Sequence, residues 1–120
     1  MQIDEILREI ERINQYLRTK KWCDFWIGGL GEHLEVNGST SFSETPDLTI
    51  KFKSVFFVSC ATSWSSDVAQ EVIKVTHRDK AEKLNEKYKV EYGHVFFTIK
   101  AEDIGAEFYV SAQAIEVYIN

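Results

Sequence analysis

Leu48-Thr49-Ile50-Lys51-Phe52-Lys53-Ser54-Val55-Phe56-Phe57-Val58-Ser59-Cys60 is the stretch whose reading decides the fold. Leu48, Ile50 and Phe52 alternate with Thr49, Lys51 and Lys53. That is the period of two of a strand with one dry face and one wet face. Beyond Ser54 the run Val55-Phe56-Phe57-Val58 is apolar on both faces. Such a strand needs cover on both sides, which predicts a place near the middle of a sheet.

Working outward towards the N-terminus, Ser39 to Asp47 reads as an exposed polar loop around one Phe. Its Pro46 is the only proline and stands just before the strand, where no ladder donor is lost. Asn37-Gly38 is a turn signal, and His33 to Val36 a short strand. Gly28-Gly29-Leu30-Gly31 lacks the Lys-Ser/Thr of a phosphate loop and does not fit GxGxxG, so it reads as a flexible turn. Trp22 to Ile27 is a strand, or the corner where a helix meets the sheet. That helix spans residues 2–20 of the segment 1–21. Ile3, Ile6, Ile10, Ile13 and Leu17 recur at helical spacing, and Leu7 widens the stripe. Asp4 and Glu5 open it and Arg18, Lys20 and Lys21 close it, as the helix dipole favours. The stripe suits a helix lying on the sheet; it also suits a short homodimer seam.

Towards the C-terminus, Ala61 to Asp67 reads as a Ser-rich turn carrying Trp64. Residues 68–76 are ambiguous: Asp67 with Gln70 resembles a helix-starting box, whereas Val72, Ile73, Val75 and Thr76 favour a strand at about 70–76. A short helix is expected near 79–88. Three strands follow: His94–Lys100, entered from Lys89–Tyr92 through Gly93, then Phe108–Ser111 and Ala114–Ile119. The expectation is a single α+β domain over residues 1–120. Its N-terminal amphipathic helix packs on a mostly antiparallel sheet of five to seven strands.

The 120 residues are 44% hydrophobic and 13% aromatic, enough for a core without staples. The net charge of -5 argues against a nucleic-acid binder. No apolar run is long enough to cross a bilayer, and Asp4, Glu5, Arg8 and Glu9 break up any secretory signal, so a soluble cytoplasmic protein is expected. Cys23 and Cys60 lie in apolar runs and read as buried thiols. His33, His77 and His94 share no metal-binding spacing. Cys60 with a histidine would make a nucleophile and base, but the end of an apolar strand raises a thiol pKa instead of lowering it. The sequence therefore assigns no catalytic residue, metal or cofactor.

Charge is the more informative signal. Segment 22–50 contains Asp24, Glu32, Glu35, Glu44 and Asp47 and no Lys or Arg, and so carries charge equal to that of the whole chain. It reads either as a solvated face or as an acidic docking surface for a basic protein. Trp64 is the tryptophan expected to be exposed as an interface anchor; Trp22 and Trp26 are assigned to the core.

The order of elements resembles that of small bacterial immunity proteins found beside polymorphic toxins, and of related β-rich proteins. The resemblance is carried by Leu48–Ser59, the Trp64 turn and Phe108-Tyr-Val-Ser-Ala-Gln-Ala-Ile-Glu-Val117, and it covers residues 48–120. It implies a non-enzymatic inhibitor that binds one cognate toxin. The alternatives are a homodimeric structural or regulatory domain built on the helix stripe, and a cysteine-dependent enzyme.

Overall fold

The computed structural model describes residues 1–68 and 71–120. In chain order they form α1 (Ile3–Arg18), β1 (Trp22–Leu30), β2 (Leu34–Ser39), β3 (Leu48–Ser59), β4 (Ser63–Asp67), β5 (Ile73–Val75), α2 (Arg78–Tyr88), β6 (Val95–Ala101) and β7 (Ala106–Ile119). The strands make one seven-stranded sheet of order β4-β1-β2-β3-β7-β6-β5, with β3 in the centre. Every neighbouring pair is antiparallel. The sheet curls until its two ends approach. Ser66 Oγ of β4 donates to the Lys100 carbonyl of β6 (2.7 Å), and the Trp64 ring lies 5.0 Å edge-on from Phe108.

The inner face holds the main core. Leu48, Ile50 and Phe52 meet Ile6, Ile10, Ile13 and Leu17 of α1, with Phe97, Val110 and Ile115 from β6 and β7. Phe52 is 0% exposed. The stripe that could have formed a dimer seam is thus buried inside its own chain, and of its five residues only Ile3 remains open, at 49%. Polar groups of α1 also serve the sheet. Asn14 Oδ1 accepts from the Val72 and Ile73 amides (3.0 and 3.3 Å), and its Nδ2 donates to the Ile73 carbonyl (2.8 Å). Glu9 Oε2 accepts from the Val117 amide (2.9 Å), beyond the point where β6 leaves β7 unpaired. Buried backbone donors need such partners.

On the outer face α2 covers one half of the sheet. Its Tyr88 stacks on Phe57 with ring centroids 4.1 Å apart, and the Lys80 ammonium lies 5.5 Å from the Tyr109 ring centre. Leu84 and Phe96 are buried yet stand outside the main core cluster, as a second layer requires. The His77 side chain caps α2 by accepting from the Asp79 amide (3.4 Å).

Several local expectations are corrected. Gly28-Gly29 is not a turn but the end of β1, with a register shift between Ile27 and Gly29. A Cβ on Gly28 would sit 2.4 Å from Asn37 Nδ2, so the Asn37 side chain fills the space beside that glycine. Asn37-Gly38 lies inside β2, paired on both sides. A Cβ on Gly38 would meet Cys23 Sγ at 2.9 Å. The Trp64 segment is strand β4 rather than a turn. Phe108–Ser111 and Ala114–Ile119 are one continuous strand, β7, while Lys89–Tyr92 joins no strand. β5 falls within the strand expected near 70–76, and Gln70 of the box-like start lies outside the described residues. Past the register shift at Val55/Phe57 the cover of β3 is partial: Phe57 and Val58 are half-buried and Phe56 is exposed beside His94.

Candidate functional site

β1 alternates cleanly. Cys23 and Phe25 point into the core, while Trp22, Asp24 and Trp26 share the outer face and are half-buried. The loop after β2 folds onto this face because its ends are fixed. Ser39 Oγ accepts from the Ser41 and Ser43 amides (3.4 and 3.1 Å). The Asp47 carboxylate accepts from the Thr40 amide (3.0 Å), the Thr40 hydroxyl (2.6 Å) and the Tyr16 hydroxyl (2.7 Å). Between these anchors Phe42 adopts a left-handed backbone, φ 58°. Few non-glycine residues take this conformation. Its ring rests on Trp22, centroids 4.1 Å apart and planes at 48°, yet the residue is 84% exposed. Asp24, Trp26, Phe42, Ser43 and Glu44 line an open cleft of about 420 Å³.

The structure separates the five carboxylates of segment 22–50. Asp24 and Glu44 come together in the cleft. Glu35 faces Lys51 directly across the β2–β3 ladder. Glu32 is exposed between β1 and β2, and its carbonyl accepts from the Val55 amide (2.9 Å). Asp47 is a structural hub and not a free charge. Burial alone would raise its pKa, but the Thr40 and Tyr16 hydrogen bonds outweigh this and hold it below the usual carboxylate value. Burial, then the bond to Asp47, pushes Tyr16 up to about 12. Trp64, expected to be exposed, is 4% exposed: its ring stacks on Phe25 at 5.5 Å, with Phe108 on another side. The aromatic residues on the outer face of this region are instead the exposed Phe42 and the half-buried Trp22 and Trp26, the last two expected in the core. The signal lay in β1 itself, where a face that carries Asp24 faces water, and its two tryptophans share that face.

In the cleft Ser65 Oγ donates to Asp24 Oδ1. Among the described residues the ion pairs are Arg12–Glu9, Arg18–Glu11, Lys53–Glu116 and Arg78–Glu82, and none reaches Asp24 or Glu44.

Elsewhere the reactive side chains stand apart from one another. Both cysteines are free thiols; burial pushes Cys60 up and, aided by the charges of Asp47 and Asp24, Cys23 up to about 12. The three histidines serve three separate sites: His33 Nδ1 accepts from the Ser54 amide (3.0 Å), His77 caps α2, and His94 Nδ1 donates to the Glu91 carbonyl (2.9 Å). Among the described residues no three His, Cys, Asp or Glu side chains group to hold a metal. No helix there is long and apolar enough to cross a membrane.

No family model, curated protein or solved structure matches the chain.

Proposed function

We propose that this chain is a non-enzymatic protein-binding domain of the cytoplasm, an immunity-type protein that binds and blocks a cognate toxin presenting a basic surface. The observation that carries the reading is Phe42. An exposed aromatic in a left-handed conformation, braced on Trp22 and flanked by Asp24 and Glu44, contributes little to the core. Strain of this kind persists where binding uses it. Exposed aromatics ringed by charge are what protein interfaces employ as anchors.

The test is neutralisation. The chain is co-expressed with the toxin encoded by a neighbouring gene, and survival is scored. Protection by the native chain is expected. Its loss is expected in Phe42→Ala combined with Trp26→Ala, with folding verified by the near-ultraviolet dichroism of Trp64. A toxin that kills equally well with the native chain present would overturn the reading.

A further inference from the structure

We propose that the cleft between Trp26 and Phe42 receives the guanidinium of an arginine side chain presented by the partner protein. The inference rests on the protein-binding reading above and names what that site recognises.

Three observations converge on it. The first is charge. Asp24 and Glu44 both line the cleft, segment 22–50 supplies no Lys or Arg, and no ion pair among the described residues engages either carboxylate. Ser65 orients Asp24 through a neutral hydroxyl, which fixes the carboxylate without cancelling its charge. An anion would be repelled here, and a purely apolar side chain would strip water from Asp24 without replacing it.

The second is the surface beside those carboxylates. Trp26 and Phe42 line the cleft, with Trp22 against Phe42. Aromatic faces attract cations. A guanidinium is flat, weakly hydrated, stacks on rings and pairs two-fold with a carboxylate; an ammonium is a compact, strongly hydrated point charge. A cleft with both aromatic walls and carboxylates matches the first of these.

The third is rigidity. The Ser39 and Asp47 hydrogen bonds hold the loop that presents Phe42 and Glu44, so the cleft exists before any ligand arrives. Preformed sites lose less on binding.

The experiment is an NMR titration of the native chain, following its three indole N–H signals. The probe is N-acetyl-arginine methylamide, compared with the citrulline, lysine and trimethyllysine equivalents. The arginine probe should move Trp22 and Trp26 saturably at millimolar concentration and leave the buried Trp64 in place. Citrulline has the same shape without the charge and should bind at least about ten-fold more weakly. Asp24→Asn with Glu44→Gln should cause a similar loss, with an unmoved Trp64 signal showing that the variant is folded. Equal shifts from citrulline, equal or tighter binding of lysine or trimethyllysine, or full arginine binding by the double variant would each overturn the proposal. So would the absence of saturation with the native chain. The double variant is also scored for toxin neutralisation. If it protects as well as the native chain while the arginine probe fails to saturate, the cleft inference falls and the binding reading stands. If the probe saturates but the native chain gives no protection, the inhibitor reading falls and the cleft keeps its chemistry.

Discussion

The two halves of the outer sheet face treat their aromatic residues in opposite ways. Over β6 and the end of β3, α2 supplies a second layer: Phe96 is 3% exposed and Phe57 is sandwiched by Tyr88. Over β1 and β2 no helix lies among the described residues, and Phe42, Trp22 and Trp26 meet water with carboxylates between them. Both halves use the same inner core. The difference shows that aromatic content alone does not locate a core. A second layer is signalled where an apolar pair such as Phe56-Phe57 interrupts the alternation. An open face is signalled where Asp or Glu shares a parity with the aromatics.

That contrast can be broken at several points. The largest effect belongs to the layer both halves share. Phe52→Ala should cost about 3–5 kcal/mol in urea unfolding; a loss below about 1 kcal/mol would remove β3 from the centre of the core. On the covered half, Leu84→Ala should cost about 2 kcal/mol and loosen the stacking of Tyr88 on Phe57, seen as altered near-ultraviolet dichroism. An unchanged midpoint would mean that α2 is not a needed layer.

On the open half the stabilising element is polar. The folded pKa of Asp47 lies below its unfolded value, so its contribution is present above about pH 4 and is lost as pH falls through the folded value. Asp47→Asn should therefore cost about 1 kcal/mol at pH 7, a figure kept low for solvent screening. The gap to the native chain should close in acid. A gap independent of pH would place the effect elsewhere. Tyr16 behaves in the opposite sense: with its pKa raised to about 12, its contribution is intact below about pH 10 and disappears as pH climbs through 12. The smallest effect is expected at the exposed aromatic. Phe42→Gly relieves a left-handed backbone and removes little burial, so unfolding should shift by less than about 0.5 kcal/mol. A large destabilisation would make Phe42 structural and erase the contrast between the halves.

Much of the architecture is written locally. The alternation from Leu48 to Phe52 marks the central strand, the Ile stripe marks α1, and the charged segment after Arg78 contains α2. What escapes a local reading depends on partners far along the chain. Asn37-Gly38 carries turn chemistry, but Gly38 is there because Cys23 and Phe25 of β1 press against it. Trp64 sits among serines that suggest a turn, yet the strand parity set by pairing with β1 turns it inward against Phe25. Asn14 looks like an ordinary polar residue beside the Ile stripe, and only the return of residues 72–73 gives it three hydrogen bonds. For the site, the acidic run was legible as charge. Its division into Asp24 and Glu44 in a cleft, Asp47 in a hub and Glu35 opposite Lys51 was not, because loop closure and register decide it.

The pairing of β3 with β7 also constrains how the chain comes into being. Leu48 lies opposite Ile119, and β7 is flanked by β3 on one side and β6 on the other, so this strand alone joins the two halves of the sheet. Until β7, the last strand in chain order, is available, β3 with its Val-Phe-Phe-Val run has only β2 beside it. The edge that β7 will occupy is then a bare row of amides and carbonyls next to apolar side chains, open to other nascent chains. Sequence-distant pairings of this kind also close slowly. A delay between the appearance of β3 and that of β7 should therefore lower the soluble yield of this protein.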